Sequence, residues 1–280
     1  MSELIALFSK YNTSEITLAV GLMMSRILGM TWLAPFIGGK LVPSQIKIGL
    51  AFVLGILVYP FVLTEANLEM VFRPQDSLYP FAARMAGLVA KEVFVGVILG
   101  FIIMTIWHGA EMIGRFVDTA RGSAMGTALV PESGKQASVF GSLYFQVLLV
   151  FFLLLDGHLI FLNYFAQSYV LIPLASVPPF HTGMWPFFDM IIRITGNLFV
   201  AAITLSSPVI ISIFITDVCM GLFNKVAPQI NVLFLMMPFK AVLGILFSML
   251  AFYLFLDESQ KIMIVALNKV WMAIRHMSPL

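Results

Sequence analysis

A chain of 280 residues that is 60% hydrophobic and 11% charged, with a mean hydropathy of +1.00, carries more apolar surface than a soluble fold can bury. Ordinary soluble domains have about 25% charged residues. The net charge of +2 comes without a Lys/Arg run and leaves no footprint for nucleic acid. A single cysteine, Cys219, excludes an internal disulfide and any cysteine-based metal site.

The N-terminal stretch MSELIALFSKYNTSE has early acidic residues and no small-residue cleavage site, so the first apolar span is expected to be retained. Six apolar segments follow, at roughly 16–38, 46–63, 84–107, 137–164, 188–215 and 229–256. They approach the roughly 20 residues of a membrane-spanning helix and lack the short alternating segments of a barrel. The expectation is an all-α, polytopic helical membrane protein, with about six broken or kinked hydrophobic segments. It would form one integral-membrane domain over 1–256 and an amphipathic helical tail over 257–280, where Ile262, Val265, Trp271 and Ile274 recur at helix spacing. Basic residues divide evenly between the two sides, so they set no orientation.

Four basic residues lie inside apolar segments: Arg26, Lys91, Arg193 and Lys240, with Glu92 and Asp156 for company. A central charge costs about 2.5–3.5 kcal/mol on insertion scales. Lys240 and Asp156 are expected near span ends, where snorkelling relieves the cost. Arg26 and the Lys91-Glu92 pair imply helices that face protein or water. Pro35, Pro60, Pro208, Pro228 and Pro238 lie within or beside spans, and backbone groups that they free at membrane depth need protein or water. Ser206-Ser207-Pro208 sets hydroxyls next to one such position.

Between the third and fourth segments the chain turns polar and small: HGAEMIGRFVDTARGSAMGTALVPESGKQAS, His108 to Ser138. Glu111, Arg115 and Asp118 fall at helix spacing, Gly122–Ala128 is almost without bulk, and Pro131-Glu132-Ser133-Gly134 is a turn signal. The stretch fits a pore loop or gate, or a long ordinary loop. It is not a phosphate-binding loop, because the motif needs Gly where Leu129 stands and Ser or Thr where Gln136 stands. No catalytic constellation is legible, so neither enzyme activity, nor a cofactor, nor a metal is expected.

Three stretches in order resemble one family, the flagellar export-gate protein FliR and its virulence relative SctT of type III secretion. They are AEMIGRFVDTARGSAMGTALVPESGKQAS (110–138), FLLLDGHLIFLNYFAQSYVLIPL (152–174) and GLFNKVAPQINVLFLMMPFK (221–240). Ser168-Tyr169, Gln146 and Pro238-Phe239-Lys240 lean towards the virulence branch. Two departures stand out. Val130 precedes Pro131 where the family usually has Asp, and Lys225 stands where Arg is commoner, which weakens any bidentate contact there.

The resemblance implies a subunit of a helical, pore-forming export gate, built with FliP/SctR and FliQ/SctS subunits and with FlhB/SctU and FlhA/SctV nearby. That gate lies in the bacterial inner (cytoplasmic) membrane, within the secretion-system basal body, and threads unfolded protein substrates. The surrounding ring would hide Arg26, Lys91 and Glu92 from lipid. The loop at about 118–135 would plug the closed pore. Met125, Leu129 and Val130 would seal it, Gly122, Gly126 and Gly134 would hinge it next to Pro131, and Asp118, Arg121, Glu132 and Lys135 would hold its register. Asn224, Lys225, Pro228, Gln229, Asn231 and Lys240 would form a tight turn or a contact to FlhB/SctU. The rival reading is a secondary transporter of small solutes, with a midplane site among the broken helices.

Overall fold

The computed structural model describes residues 13–37, 42–62, 81–122, 138–176, 178, 183–229 and 231–278. Among these residues the chain is helical, with no strand. The helices are α1 (Thr13–Leu33), α2 (Ser44–Val62), α3 (Phe81–Ala120), α4 (Val139–Leu154), α5 (Gly157–Leu171), α6 (Met184–Val226) and α7 (Val232–Met277). Each apolar segment falls on one helix, except that 137–164 is divided between α4 and α5. These two helices bend by 72° at Leu155-Asp156, where Asp156 takes a left-handed conformation (φ 54°). Asp156 therefore sits at the break between α4 and α5. Four helices are long and apolar enough to cross a membrane, five if α4–α5 counts as one span, and α2 contributes only a shorter apolar stretch.

Three helices are longer than any bilayer requires. At about 1.5 Å per residue, the 40 residues of α3 extend about 60 Å, and the 43 of α6 and 46 of α7 still further. The hydrocarbon core is about 30 Å thick. Helix α7 runs unbroken through Asp257, so residues 257–277 are its last turns.

Proline does not end α6. Pro208 lies inside it and has no N–H for the carbonyl of Thr204, four residues back. The Ser207 hydroxyl donates to that carbonyl at 2.7 Å, and the Ser206 hydroxyl donates to Ala202 at 2.7 Å. The helix keeps its path because a side chain replaces the missing donor. Pro238 likewise lies within α7.

The chain divides into two units. Unit 1 comprises 1–104, 155–191 and 266–280; unit 2 comprises 105–154 and 192–265. In unit 1, helix α2 packs on α1 and α5. Helices α1 and α3 approach until Gly29 and Gly96 face backbone. A Cβ at Gly29 would lie 2.9 Å from the Val93 carbonyl, and one at Gly96 would run into the Arg26 carbonyl. Gly96 and Gly100 form a G-x-x-x-G pair, the small-residue spacing that lets membrane helices touch. Phe36, Phe161, Phe165 and Tyr169 continue the core as a chain of ring contacts. In unit 2, Val117 of α3, Val209 and Ile213 of α6 and Ala251 of α7 form a buried cluster flanked by Phe140 and Phe247. Trp107 of α3 meets Phe152 of α4 at 5.0 Å, edge to face, and Tyr144 of α4 meets Phe255 of α7 at 4.8 Å.

Candidate functional site

The charges inside unit 1 form one enclosed network. Arg26 of α1 and Glu92 of α3 are fully buried. The Arg26 Nε donates to Glu92 Oε2 at 2.5 Å and its Nη2 donates to Oε1 at 3.1 Å. This fork matches a planar guanidinium to a carboxylate. The remaining guanidinium donors reach Ser168 Oγ at 3.1 Å and the Ile172 carbonyl at 2.8 Å, and the group lies 4.1 Å from the centre of the Tyr169 ring. Tyr169 in turn donates its hydroxyl to the Met23 carbonyl at 2.8 Å.

Lys91 pairs with the same carboxylate. Its ammonium donates to the carbonyls of Pro173, Leu174 and Ser176 at 3.0, 2.8 and 3.2 Å. Those carbonyls follow the C-terminus of α5, where a helix presents acceptors and partial negative charge. Two cations thus share one carboxylate and the backbone carbonyls of the stretch that follows α5. The cover over these charges comes from this chain's own α1, α3 and α5. A solute site would need charges open to the solute, and Arg26 and Glu92 are committed to each other and to the backbone.

In unit 2 the end of α3 holds the start of α4. Asp118 Oδ2 accepts from Ser138 Oγ at 2.6 Å and from the Phe140 N–H at 3.1 Å. Ser138 Oγ accepts from the Gly141 N–H at 2.8 Å. Ser138 is the N-cap of α4, and Asp118 supplies a second acceptor for the helix's unpaired N–H groups. Asp118 also pairs with Arg121 at 2.7 Å, and the guanidinium lies over the Phe140 ring at 4.5 Å. The helices can come this near because Gly114 and Gly141 meet backbone to backbone. Gly122, with φ 83°, takes the left-handed conformation that ends α3. Asp118, Arg121, Gly122 and Ser138 thus stand together, and the 15 residues 123–137 leave and return within one clasp. Met125, Gly126, Leu129, Val130, Pro131, Glu132, Gly134 and Lys135 lie outside the described residues.

Also in unit 2, α6 and α7 join through a turn at Pro228-Gln229. Asn224, Lys225, Pro228, Gln229 and Asn231 are all exposed there. The Asn231 carbonyl accepts from the Phe234 N–H at 3.2 Å as α7 begins. Asn224, Pro228, Gln229 and Asn231 line a cavity of about 470 Å³ with Met220 and Met236. Lys240 lies in the third turn of α7. It pairs with Asp217 at 2.6 Å and ties α7 to α6.

Sequence reasoning missed Ser168 and the residue 172–176 carbonyls as partners of the buried cations, Ser138 as partner of Asp118, and Asp217 as partner of Lys240. The G-x-x-x-G spacing at Gly96 and Gly100 was the available signal for the α1–α3 approach.

The architecture is that of a polytopic all-α membrane protein whose charges are spent on holding helices together. No group of residues suited to a metal is present among the described residues. Residues 17–264 match the family described as bacterial export proteins, family 1, and the chain belongs to it. It is 28% identical over 255 residues to the secretion system apparatus protein SsaT of Salmonella typhimurium, covering 89% of this chain and 93% of that one. It is 27% identical to the flagellar biosynthetic protein FliR of Bacillus subtilis, with 78% and 80% covered. It is 25% identical to the Yop proteins translocation protein T of Yersinia pestis, with 89% and 91% covered. The family is a component of protein export apparatus, not an enzyme.

Proposed function

We propose that this chain is a core subunit of a type III protein export gate in the bacterial inner membrane. It assembles with FliP/SctR-type and FliQ/SctS-type subunits into the pore that unfolded substrates cross. FlhB/SctU-type and FlhA/SctV-type proteins adjoin it, and the segment at about 118–135 plugs the closed pore. The family match supports the export role. The observation that carries the plug is the clasp of Asp118 on Ser138 and Phe140. It ties Asp118 to Ser138 and Phe140, on either side of a Gly-rich sequence, at one point. The exposed turn at Asn224–Asn231 suits a partner contact by the same reasoning, since its polar groups face outward from an apolar hairpin.

The test replaces Gly122–Lys135 with a short Gly/Ser linker in the assembled complex and follows ion leakage together with secretion. Leakage from an intact assembly is the expected result. A tight membrane with the assembly intact would remove the plug from the account.

A further inference from the structure

Helix α3 changes the chemistry of its exposed side partway along. Over residues 81–104 the exposed large side chains are Phe81, Val89, Val93, Phe94 and Val97, a surface suited to lipid or an apolar neighbour. Beyond Val97, and until Val139, no large apolar side chain among the described residues is exposed. His108, Glu111, Arg115 and Thr119 take over, at spacings of three and four that keep them on one stripe. The stripe is open: the His108, Glu111 and Arg115 side chains are 40%, 24% and 60% exposed. Elsewhere in unit 2 the outer surfaces of α6 and α7 carry Phe214, Val218, Val242 and Leu246, all well exposed. Helix α4 adds Leu143, Val150 and Leu154, so the large apolar side chains that the described residues of unit 2 expose lie on α4, α6 and α7, and the stripe on α3 is its polar wall.

The polar wall is charged without a net sign. Glu111 accepts from Arg115 at 2.7 Å and lies 3.4 Å from His108 Nδ1. Thr119 turns its hydroxyl onto the Arg115 carbonyl at 2.8 Å. Such a surface is wetted, offers little apolar area to a passing chain, and favours neither acidic nor basic segments. It also leads, within one helical turn, into the Asp118 clasp and the segment that it holds.

We infer that the His108–Glu111–Arg115–Thr119 stripe is a wall of the water-filled passage, touched by the exported polypeptide as it goes by. This rests on the export-gate reading and deepens it. The partner is an unfolded chain in water, recognised by neither sequence nor charge.

The experiment places a photo-crosslinking amino acid at Arg115 or Thr119, and as controls at Phe214 or Val242, in the assembled gate. Export is then stalled with a secretion substrate fused to a tightly folded domain. Crosslinks to the stalled substrate from the stripe positions, at least tenfold above the controls, are expected. Crosslinks from the stripe only to a neighbouring subunit or to lipid would overturn the inference. Arg115→Glu supplies a second readout, because it makes the stripe acidic. Secretion of a basic test segment relative to an acidic one should shift several-fold, and an unchanged ratio counts against the inference. The plug is judged separately. A tight membrane after loop replacement, with substrate crosslinks retained, removes the plug and keeps the stripe; leakage without crosslinks does the reverse.

Discussion

Replacing Glu92 with alanine tests the account of the buried network most directly. In the native chain one carboxylate serves two enclosed cations, Arg26 through two hydrogen bonds and Lys91 through an ion pair. Glu92→Ala leaves both cations buried. Arg26 would retain Ser168 and the Ile172 carbonyl, and Lys91 would retain three carbonyls. Acceptor dipoles remain, but no negative charge does. Removing one partner of a buried pair costs about 3–5 kcal/mol. At about 2–4 °C per kcal/mol for a chain of this size, thermal unfolding in detergent should begin about 6–20 °C lower. The companion variant Arg26→Met/Glu92→Leu removes the Arg26–Glu92 pair, fills its space with apolar volume and leaves Lys91 on its three carbonyls. It should recover at least half of the loss, because a well-packed apolar pair often matches a buried ion pair. The reasoning fails if Glu92→Ala stays within about 1 kcal/mol of the native protein, or if the double variant loses the sum of its two singles.

Gly96→Ala should separate α1 from α3, because the new Cβ meets the Arg26 carbonyl, and the loss of folded protein should be severe by melting or by yield. Gly87→Ala, with nothing near its Cβ, is the control and should be neutral or gain up to about 1 kcal/mol. Asp118→Ala removes two hydrogen bonds from the start of α4 and should cost about 1–2 kcal/mol, read as lower protection of the Phe140 amide in hydrogen exchange. In an assembled gate the same variant should raise ion leakage. Ser207→Ala leaves the Thr204 carbonyl without its donor and should cost about 1–3 kcal/mol. Pro208→Ala restores a backbone donor there and should make Ser207→Ala harmless, as a double-mutant melt would show.

Much of the fold was legible because apolar run length marks a membrane helix directly. Each of the six runs falls on a helix or, for 137–164, on a bent pair. Helix ends were less legible. The run ending at 107 continues to Ala120 because Glu111, Arg115 and Asp118 stay on helix spacing, and a polar helix turn leaves no apolar signal. Against expectation Pro208 does not break α6, and the reason was legible beside it: the Ser207 hydroxyl supplies the bond that Pro208 lacks. Arg26 and Glu92 stood out as charges that a lipid face would not carry. Spacing could not show that they meet across 66 residues, because pairing depends on which helix faces touch. Lys240 and Asp217 were missed for the same reason. For the proposed plug, the family resemblance spoke for Met125, Leu129 and Val130, and of the stretch only Asp118–Gly122 and Ser138 belong to the described residues.

The length of α3, α6 and α7 has an elastic consequence. Lipid feels only their apolar runs, 84–107, 188–215 and 229–256, which extend about 36–42 Å against about 30 Å of hydrocarbon, so these helices must tilt or thicken the lipid around them. Mismatch costs fractions of a kcal/mol per Å, so three such helices in a lone subunit carry a penalty on the order of a few kcal/mol. Lipid would act on the isolated chain as a poor solvent that squeezes it outward. Neighbouring subunits of matching height would relieve that pressure. Assembly could then draw on distorted membrane as well as on contacts, and thickening the bilayer with longer acyl chains should weaken the drive to assemble.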